Sequence, residues 1–463
     1  DRRTQLGAAW RWHGGDADRL GVENGLVLGA LLRPNPWAGV GLSGFFAGGD
    51  DFTEGTLDLG LRPLGTPLLT LFADYTLRRP ETDAGVWGGG VGLRPTQGLE
   101  LIFKARDGGD EDARFHVGLG VTFDGAGVHA MARRTEDLDH ESMSYLARLR
   151  PPYRGIPLRR ELDRRFGTPV IVPVSLENRV LTYQKDRWFD GSRIAWLDLL
   201  QHLDAIRDEP GAAGIALDLS DFRGRPSLVW ELRGKLEELR AAGKQIHVHA
   251  NRLDMSGLYL ASAADEITLD PQGGLMVPGL ALHRTYLRGA LEKLGLGAEE
   301  WRYFSHKTAF QSYSRADMSD ADREQLGRLV DVIYETWRAG ICEGRRLTPQ
   351  AFDAVVDGEV LLLPARAQEL GLVDRLGRWP DLVERLDEQD ALRIGPLPGG
   401  SERRVFPDER WGRPPEIAIV YAVGECAMDA GIRGRATGKH LRGLAKRGDV
   451  AAVVLRADSP GGD

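Results

Sequence analysis

Glycine is unevenly distributed along this chain, and the glycine-rich part also shows a strict alternation of side chains. Residues 1–130 hold 26 of the 59 glycines, although they make up less than a third of the 463 residues. In RFHVGLGVTFD, apolar residues occupy every second position from Phe115 to Phe123, with His116, glycines and Thr122 between them. This period of two is typical of β-strands and argues against amphipathic helices in this part of the chain.

About nine alternating runs follow one another in residues 1–130, separated by turn sequences such as RPNP, RPLGTP and DGGDED. The pattern predicts a Gly-rich antiparallel β meander with one apolar face and one small or polar face. Strands of outer-membrane β-barrels have this alternation because their outer face contacts lipid. A soluble β-sandwich, or an open sheet packed on the next domain, has it as well. Both interpretations stay open, as does the question of what packs against the strand glycines.

The composition excludes several classes of protein. The length allows two or three domains, and 42% hydrophobic with 28% charged residues excludes a disordered chain. The net charge of −8 argues against nucleic acid as a partner. Two cysteines, Cys342 and Cys426, form neither a disulfide framework nor a four-cysteine metal site. No apolar stretch reaches the roughly 18 residues of a membrane-spanning helix. Because the chain starts at Asp1 without a leader, we expect any export signal to have been removed or never included.

A polar, arginine-rich connector at 131–168 leads into alternating strands and helices. Leucine-lined helical segments separate apolar runs typical of buried strands, at 170–176, 213–220, 246–250 and 266–270. This series predicts a mostly parallel sheet covered by helices over 169–400.

The first strand–helix–strand pattern of this region recurs at the end of the chain. The second copy occupies 414–463 and pairs Gly224 of the first copy with Gly462. The predicted fold class is therefore multidomain: an antiparallel, outer-membrane-barrel-like β meander, a connector, a first α/β repeat and the start of a second repeat. We expect the sequence to be cut within that second copy.

Four segments resemble the protease IV, or signal peptide peptidase A, family of serine endopeptidases. They are LYLASAADEITLDPQG (258–273), HKTAFQSYSRADMSDADREQL (306–326), ELGLVDRLG (369–377) and VVLRADSPGGD (453–463). The resemblance covers about 168–463 and implies a Clp/crotonase-like fold. It also implies that, in the family's two-copy form, a lysine of the first copy is the general base for a nucleophilic serine of the second.

The resemblance places the base at Lys307. An ordinary lysine, with a pKa of about 10.4, is protonated at neutral pH, so a catalytic lysine must be desolvated to accept a proton. A dry pocket is predicted from four neighbouring aromatic residues, Tyr303, Phe304, Phe310 and Tyr313. A helix should follow, with Ser319 as N-cap and Asp322 completing a capping box. The alternative is a surface lysine on a loop.

Ser256, in LDMSGLYLAS (253–262), takes the place of the family's nucleophile segment, and Lys307 follows 51 residues later, as in single-copy members. A helix N-terminus there would stabilise developing negative charge. The flanking Asp254 departs from the family pattern, and the alternative is that Ser256 is only an N-cap. The serine of the second copy is expected about 40 residues beyond Ser459, and therefore past Asp463.

Gly461 and Gly462 resemble the family's oxyanion loop, in which glycine N–H groups approach the substrate carbonyl; an ordinary turn is the alternative. The first copy keeps Gly224 but has Arg223 in the first glycine position, which predicts an altered oxyanion hole. We therefore expect residues 1–463 alone to be inactive and Lys307 to serve a serine of the second copy.

Other candidate sites have less support. His247 and His249 share a strand face but lack further metal ligands, the Gly-x-Gly segments precede no helix, and no Ser-His-Asp triad is indicated. No metal or cofactor is expected. The predicted function is a bacterial cell-envelope endopeptidase for signal or other membrane-derived peptides, associated with a membrane and forming homo-oligomers. The alternative is a non-proteolytic envelope scaffold whose β region carries the function, and an acyl-CoA-handling crotonase relative comes third.

Overall fold

The computed structural model describes most of the chain: residues 4–12, 24–48, 53–79, 85–107, 113–123, 126–135, 137, 139–149, 162, 166–185, 190–388, 392–397 and 410–462. The chain divides into two compact units. One unit comprises residues 1–161 with 403–463, and the other comprises residues 162–402.

A ten-stranded antiparallel sheet forms most of the first unit, and each strand pairs with the next one along the chain. Its strands are β1 (Thr4–Arg11), β2 (Gly25–Leu32), β3 (Ala38–Ala47), β4 (Thr53–Leu61), β5 (Leu69–Arg79), β6 (Val86–Thr96), β7 (Leu99–Arg106), β8 (Arg114–Phe123), β9 (Ala126–Arg134) and β10 (His140–Leu149). The predicted antiparallel meander is confirmed. The predicted strand number is too low, because β10 lies in the segment interpreted as a connector. There Leu146 falls between Tyr145 and Leu149 on the face opposite to them, which weakens the alternation of apolar and polar residues.

The second unit is an α/β structure, as predicted. Its strands are β11 (Val170–Ser175), β12 (Val180–Thr182), β13 (Arg193–Ala195), β14 (Ala212–Asp218), β15 (Arg223–Gly224), β16 (Gln245–Leu253), β17 (Glu266–Met276), β18 (Leu361–Leu362), β19 (Arg375–Leu376) and β20 (Arg393–Ile394). Its helices are α1 (Trp196–Asp208), α2 (Pro226–Ala241), α3 (Met255–Ala261), α4 (Arg288–Lys293), α5 (Gln311–Ser314), α6 (Asp320–Arg345), α7 (Pro349–Gly358), α8 (Pro364–Glu369) and α9 (Trp379–Asp387).

The main sheet of this unit has the order β18-β17-β16-β14-β11-β20, with β19 also on β17. Its central strands β11, β14, β16 and β17 run parallel. Ile171 and Ala216 of the sheet form a buried cluster with Leu382 and Leu386 of α9. A smaller parallel sheet has the order β13-β12-β15. The C-terminal edge of the parallel strands is where ligands bind in open α/β sheets.

Two helices show how far the sequence pattern determines packing. In α2 the spaced leucines are buried, and Gly243 adopts a φ of +81° just after the helix, as a C-terminal glycine should. Helix α6 begins after Ser319, whose Oγ accepts a hydrogen bond from the Asp322 N–H at 3.3 Å. Of the apolar side chains along α6, Trp337 is buried, whereas Leu329 is 50% exposed.

The last part of the first unit contains β21 (Glu416–Val423), α10 (Gly434–Leu444) and β22 (Val450–Asp458). The strands β21 and β22 pair in parallel, with α10 between them in the chain. The order is the same as in β11, α1 and β14.

Candidate functional site

Lys307 lies in the loop between α4 and α5. Its ammonium group makes no hydrogen bond or ion pair within the described part of the chain. It lines an open cavity of about 580 Å³ with neighbours from the same segment: Glu299, Glu300, Trp301, Arg302, Tyr303, Phe304 and Phe310. The loop therefore presents the amine beside apolar surface.

The aromatic side chains of this cavity do not bury Lys307. Trp301 and Tyr303 are each 88% exposed, Phe304 is 72% exposed, and Lys307 itself is exposed. Tyr313 packs on the ring of Phe310, with centroids 5.5 Å apart, and does not line the cavity. The prediction of an enclosed, dry pocket is thus wrong. Aromatic side chains line the cavity, but none of the described residues covers the Lys307 amine.

The segment that carries Lys307 is held by an ion pair between the partly exposed Arg284 and the buried Asp322. Asp322 is 1% exposed and also accepts from the Thr308 hydroxyl at 2.8 Å and the Tyr286 hydroxyl at 2.9 Å. Arg284 donates to the Thr308 carbonyl at 2.6 Å, to the Ala309 carbonyl and to the Ser312 hydroxyl. Because Asp322 bonds to these groups, it does not complete the predicted capping box with Ser319.

Further hydrogen bonds tie the same segment to the start of α6. The Gln325 amide donates to the His306 carbonyl at 2.9 Å. The Ser319 hydroxyl donates to the Gln311 side-chain oxygen at 2.7 Å. Both neighbours of Lys307 in the chain are therefore held by α6, so the backbone at Lys307 has a defined position although its side chain is exposed.

Ser256 is the second residue of α3, and the N-cap of that helix is Asp254. The Asp254 carboxylate accepts from the Gly257 N–H at 2.7 Å. The interpretation of Ser256 as N-cap is therefore wrong. The Ser256 hydroxyl is partly exposed and has no hydrogen-bond partner in the described chain, and Ser256 does not line the Lys307 cavity.

The Ser-Pro-Gly-Gly run follows β22 in the first unit. Gly461 and Gly462 have φ values of +110° and +157°, a region that favours glycine. A Cβ on Gly462 would lie 1.9 Å from the Cys426 carbonyl oxygen. The Gly461 N–H donates to the Ser459 hydroxyl at 3.1 Å, as in a local turn, so it is already partnered.

Gly224 and Arg223 form β15, which pairs with Val180 and Leu181 of β12. A Cβ on Gly224 would come within 2.9 Å of Val229, so the position requires glycine for packing. Arg223 is exposed beside a cavity of about 450 Å³ that Arg193 and Arg225 also line. Packing against Val229 thus explains the glycine at position 224. Arg223 has a long side chain where a second glycine would have none.

A buried polar cluster at the ends of β14 and β16 has no counterpart in the sequence interpretation. His249 Nδ1 lies 3.5 Å from Asp218 Oδ1, and the Ser220 N–H donates to the same oxygen at 2.9 Å. Burial alone would raise the pKa of Asp218, but the hydrogen bonds from His249 and Ser220 outweigh it and lower that pKa. The Ser220 hydroxyl accepts from the Asn251 N–H at 3.1 Å, which joins the residues after β14 to β16.

His247, on the same strand, is a separate case. Burial lowers its pKa. Groups of three or more His, Cys, Asp or Glu that could hold a metal are absent among the residues the structure describes. In that part of the chain, no helix is long and apolar enough to cross a membrane.

The comparisons with known proteins define the class of this region. Residues 238–393, which include Ser256, Lys307 and the network around Asp322, match the model of Peptidase family S49. Protease 4 of Salmonella typhi is 28% identical over 282 residues, covering 57% of this chain and 45% of the relative. Protease 4 of Haemophilus influenzae is 28% identical over 295 residues, covering 58% of this chain and 47% of the relative.

The chloroplastic serine protease SPPA of Arabidopsis thaliana is 22% identical over 307 residues, covering 63% of this chain and 45% of its own length. This region of the chain is therefore similar in sequence to the protease IV, or signal peptide peptidase A, family, as the sequence motifs predict. The chain spans about half the length of the curated relatives it matches.

Proposed function

We propose that this chain is part of a serine endopeptidase of the S49 type in which Lys307 is the general base. The observation that carries the proposal is the placement of Lys307: it lies within the region matched by the family model, in a loop held at both neighbours by α6 and open to an aromatic-lined cavity. A base in this position can accept a proton from a serine hydroxyl that another part of the protein brings to the loop.

In the proposed reaction a serine hydroxyl attacks the peptide carbonyl while neutral Lys307 accepts its proton and then returns it to the leaving amine. Backbone N–H groups stabilise the oxyanion in this reaction. The lysine needs a dry environment for this role. Because Trp301, Tyr303 and Phe304 leave the cavity open, the surface that brings the serine must also cover these rings.

We assign the nucleophile to a second copy of the repeat and not to Ser256. Ser256 follows a charged N-cap, Asp254, and lies outside the Lys307 cavity. The altered glycine loop at Arg223 supports the same assignment, since losing one oxyanion donor costs about 10²–10³ in turnover. The substrates proposed are signal or other membrane-derived peptides, the location is the bacterial cell envelope, and the enzyme is a homo-oligomer with a Clp/crotonase-like fold over 169–400.

Peptide hydrolysis by the protein carrying both copies tests the base. Lys307→Ala should abolish hydrolysis, whereas Lys293→Ala, an exposed lysine of α4, should leave it unchanged. Activity of Lys307→Ala within about threefold of wild type, far less than the 10²–10⁴ of a general base, contradicts the proposal.

A fluorophosphonate probe tests the assignment of the serine. Residues 1–463 alone should not be labelled. Labelling that disappears in Ser256→Ala would instead make the first copy a complete catalytic unit. The non-proteolytic scaffold has no observation in its favour among the features of this site.

A further inference from the structure

The ten-stranded sheet separates apolar and charged side chains onto opposite faces. We call the face that carries Leu57, Leu59 and Leu61 of β4 the apolar face, and the opposite one the polar face. Residues that pair directly across neighbouring strands lie on the same face of the sheet. Leu59 therefore shares the apolar face with Val40 on β3 and Ala73 on β5. The register carries the same two faces through all strands from β1 to β10.

The apolar face is almost free of charge. Followed through the register, the Asp, Glu, Lys or Arg position on this face whose side chain the structure describes is Arg134, the last residue of β9. Large apolar residues stand exposed on it: Leu59 is 49% exposed and Leu119 is 47% exposed. A water-soluble sheet buries such a face in a protein core.

The polar face carries most of the charges, and two ion pairs form there. Lys104 bonds to Asp74 at 2.6 Å, and Arg94 to Glu100 at 2.9 Å. Asp74 is only 7% exposed, which is far less than the leucines of the opposite face. The polar face is therefore the inner side of this structure, and the apolar face is its outer side.

Strand glycines make room for these inner polar groups. A Cβ on Gly88 would lie 2.6 Å from an Asp74 carboxylate oxygen, and one on Gly120 would lie 2.4 Å from His129 Nδ1. Glycine at these two positions thus has a physical reason: a polar side chain of the neighbouring strand lies close over its backbone. The sequence pattern alone does not reveal this.

We propose that the apolar face of β1–β10 lies against the hydrocarbon of a lipid bilayer. The strands contain 8 to 11 residues, close to the ~9–11 that a tilted strand needs to cross it. Trp10 and Trp87 lie near the same end of the sheet as Arg134, as aromatic and basic residues do at a membrane–water boundary.

Lipid fits this face better than a protein partner does. Protein interfaces carry a polar rim and about one hydrogen bond per 100–200 Å², whereas this face presents hydrocarbon side chains from ten adjacent strands. Because hydrocarbon provides no hydrogen bonds, the free edges of β1 and β10 must also find strand partners in the bilayer. The inference does not depend on the proposed peptidase activity.

Site-directed fluorescence tests the proposal in the whole chain bound to phosphatidylethanolamine–phosphatidylglycerol vesicles. Single cysteines replace Leu57, Leu59, Thr56 or Asp58 in a Cys342→Ser, Cys426→Ser background and carry an environment-sensitive dye. Lipid-attached quenchers should quench the dye at Leu57 and Leu59 at least about twofold more than at Thr56 and Asp58, and aqueous iodide should show the reverse order. Equal quenching at all four positions overturns the proposal.

Vesicle flotation of two further variants provides a second measurement. Leu59→Arg places a charge on the apolar face and should lower vesicle binding by about tenfold or more, whereas Thr56→Arg places the same charge on the polar face and should lower it much less. A chain that does not float with vesicles, or that self-associates at this face without lipid quenching, overturns the proposal. Neither readout involves peptide hydrolysis.

Discussion

Arg284 forms an ion pair with the buried carboxylate of Asp322 next to the loop that carries Lys307. Both residues also bond to Thr308, Arg284 through the carbonyl oxygen and Asp322 through the hydroxyl. A lysine base must hold its amine within hydrogen-bond reach of a serine, so the position of this backbone matters for the proposed reaction. The pair is thus a positioning device for Lys307 rather than a part of the chemistry.

Asp322→Asn should lower peptide hydrolysis by about 100-fold, because displacement of a catalytic group by about 1 Å has effects of that size. Arg284→Lys should act in the same direction, since lysine cannot reproduce the divided contacts of the guanidinium group. The measurement is kcat and KM in the protein carrying both copies, together with the pH–rate profile. A displaced lysine should change the profile as well as kcat.

Asp320→Asn is the matched control for this prediction. Asp320 lies on the first turn of α6 as Asp322 does, but it is exposed. Its substitution removes the same charge and should leave kcat unchanged. Equal activity of Asp322→Asn and Asp320→Asn contradicts the positioning role.

The sequence predicts the start of α6 at Ser319 but does not predict the contact between Arg284 and Asp322. Ser319 as the start of α6 follows from its residue type and position. The partner of Asp322 lies 38 residues earlier, at Arg284, and no local pattern indicates such a pair. The predicted capping box does not form because the Asp322 carboxylate bonds to the Arg284 guanidinium group. A hydrogen bond between charged groups stabilises a carboxylate more than one from a backbone N–H does.

Close packing of α6 against the end of α3 predicts opposite effects at two glycines of one helix. A Cβ on Gly344 would lie 1.9 Å from the Ser262 carbonyl oxygen, whereas Gly327 has open space around it. Gly344→Ala should reduce the free energy of unfolding by about 1–3 kcal/mol, as overpacking does. Gly327→Ala should increase it by about 0.5–1 kcal/mol through helix propensity. Denaturant unfolding of both variants checks the pair, and equal changes contradict the packing argument.

Two histidines should make the second unit less stable in mild acid. Burial lowers the pKa of His202, and burial outweighs the opposing charge of Glu266 to lower the pKa of His247. Below pH 6.5, the ordinary histidine value, the unfolded chain binds protons that the folded chain does not. Stability therefore falls as the pH drops from that value towards the folded pKa, by at most about 1.4 kcal/mol per pH unit for each group.

His202→Gln and His247→Gln should each reduce this pH dependence, and the double variant should reduce it most. The measurement is the free energy of unfolding in urea at several pH values between about 5 and 7, the range in which histidine titrates. The slopes of the single variants should add, because each residue loses its own proton linkage. An unchanged slope in the double variant would show that neither group is linked to unfolding.

The same limit of sequence patterns explains the other differences. The spacing of leucines in α2 predicts their burial because all of them face one sheet. The aromatic residues around Lys307 are close in sequence but remain exposed, since burial requires a second surface that a local pattern does not specify. The network of Asp218, His249 and Asn251 joins neighbouring strands whose order appears only in the folded sheet.

The start of α3 separates a capping role from a catalytic one. Asp254 accepts from the Gly257 N–H, so Asp254→Ala should lower the free energy of unfolding by about 0.5–2 kcal/mol, the usual cost of losing an N-cap. The Ser256 hydroxyl makes no hydrogen bond in the described chain, so Ser256→Ala should change the free energy of unfolding by less than about 0.5 kcal/mol. Thermal and urea unfolding of the two variants check this. A larger loss of stability in Ser256→Ala than in Asp254→Ala would show that Ser256 is the N-cap. Its hydroxyl would then have a structural partner.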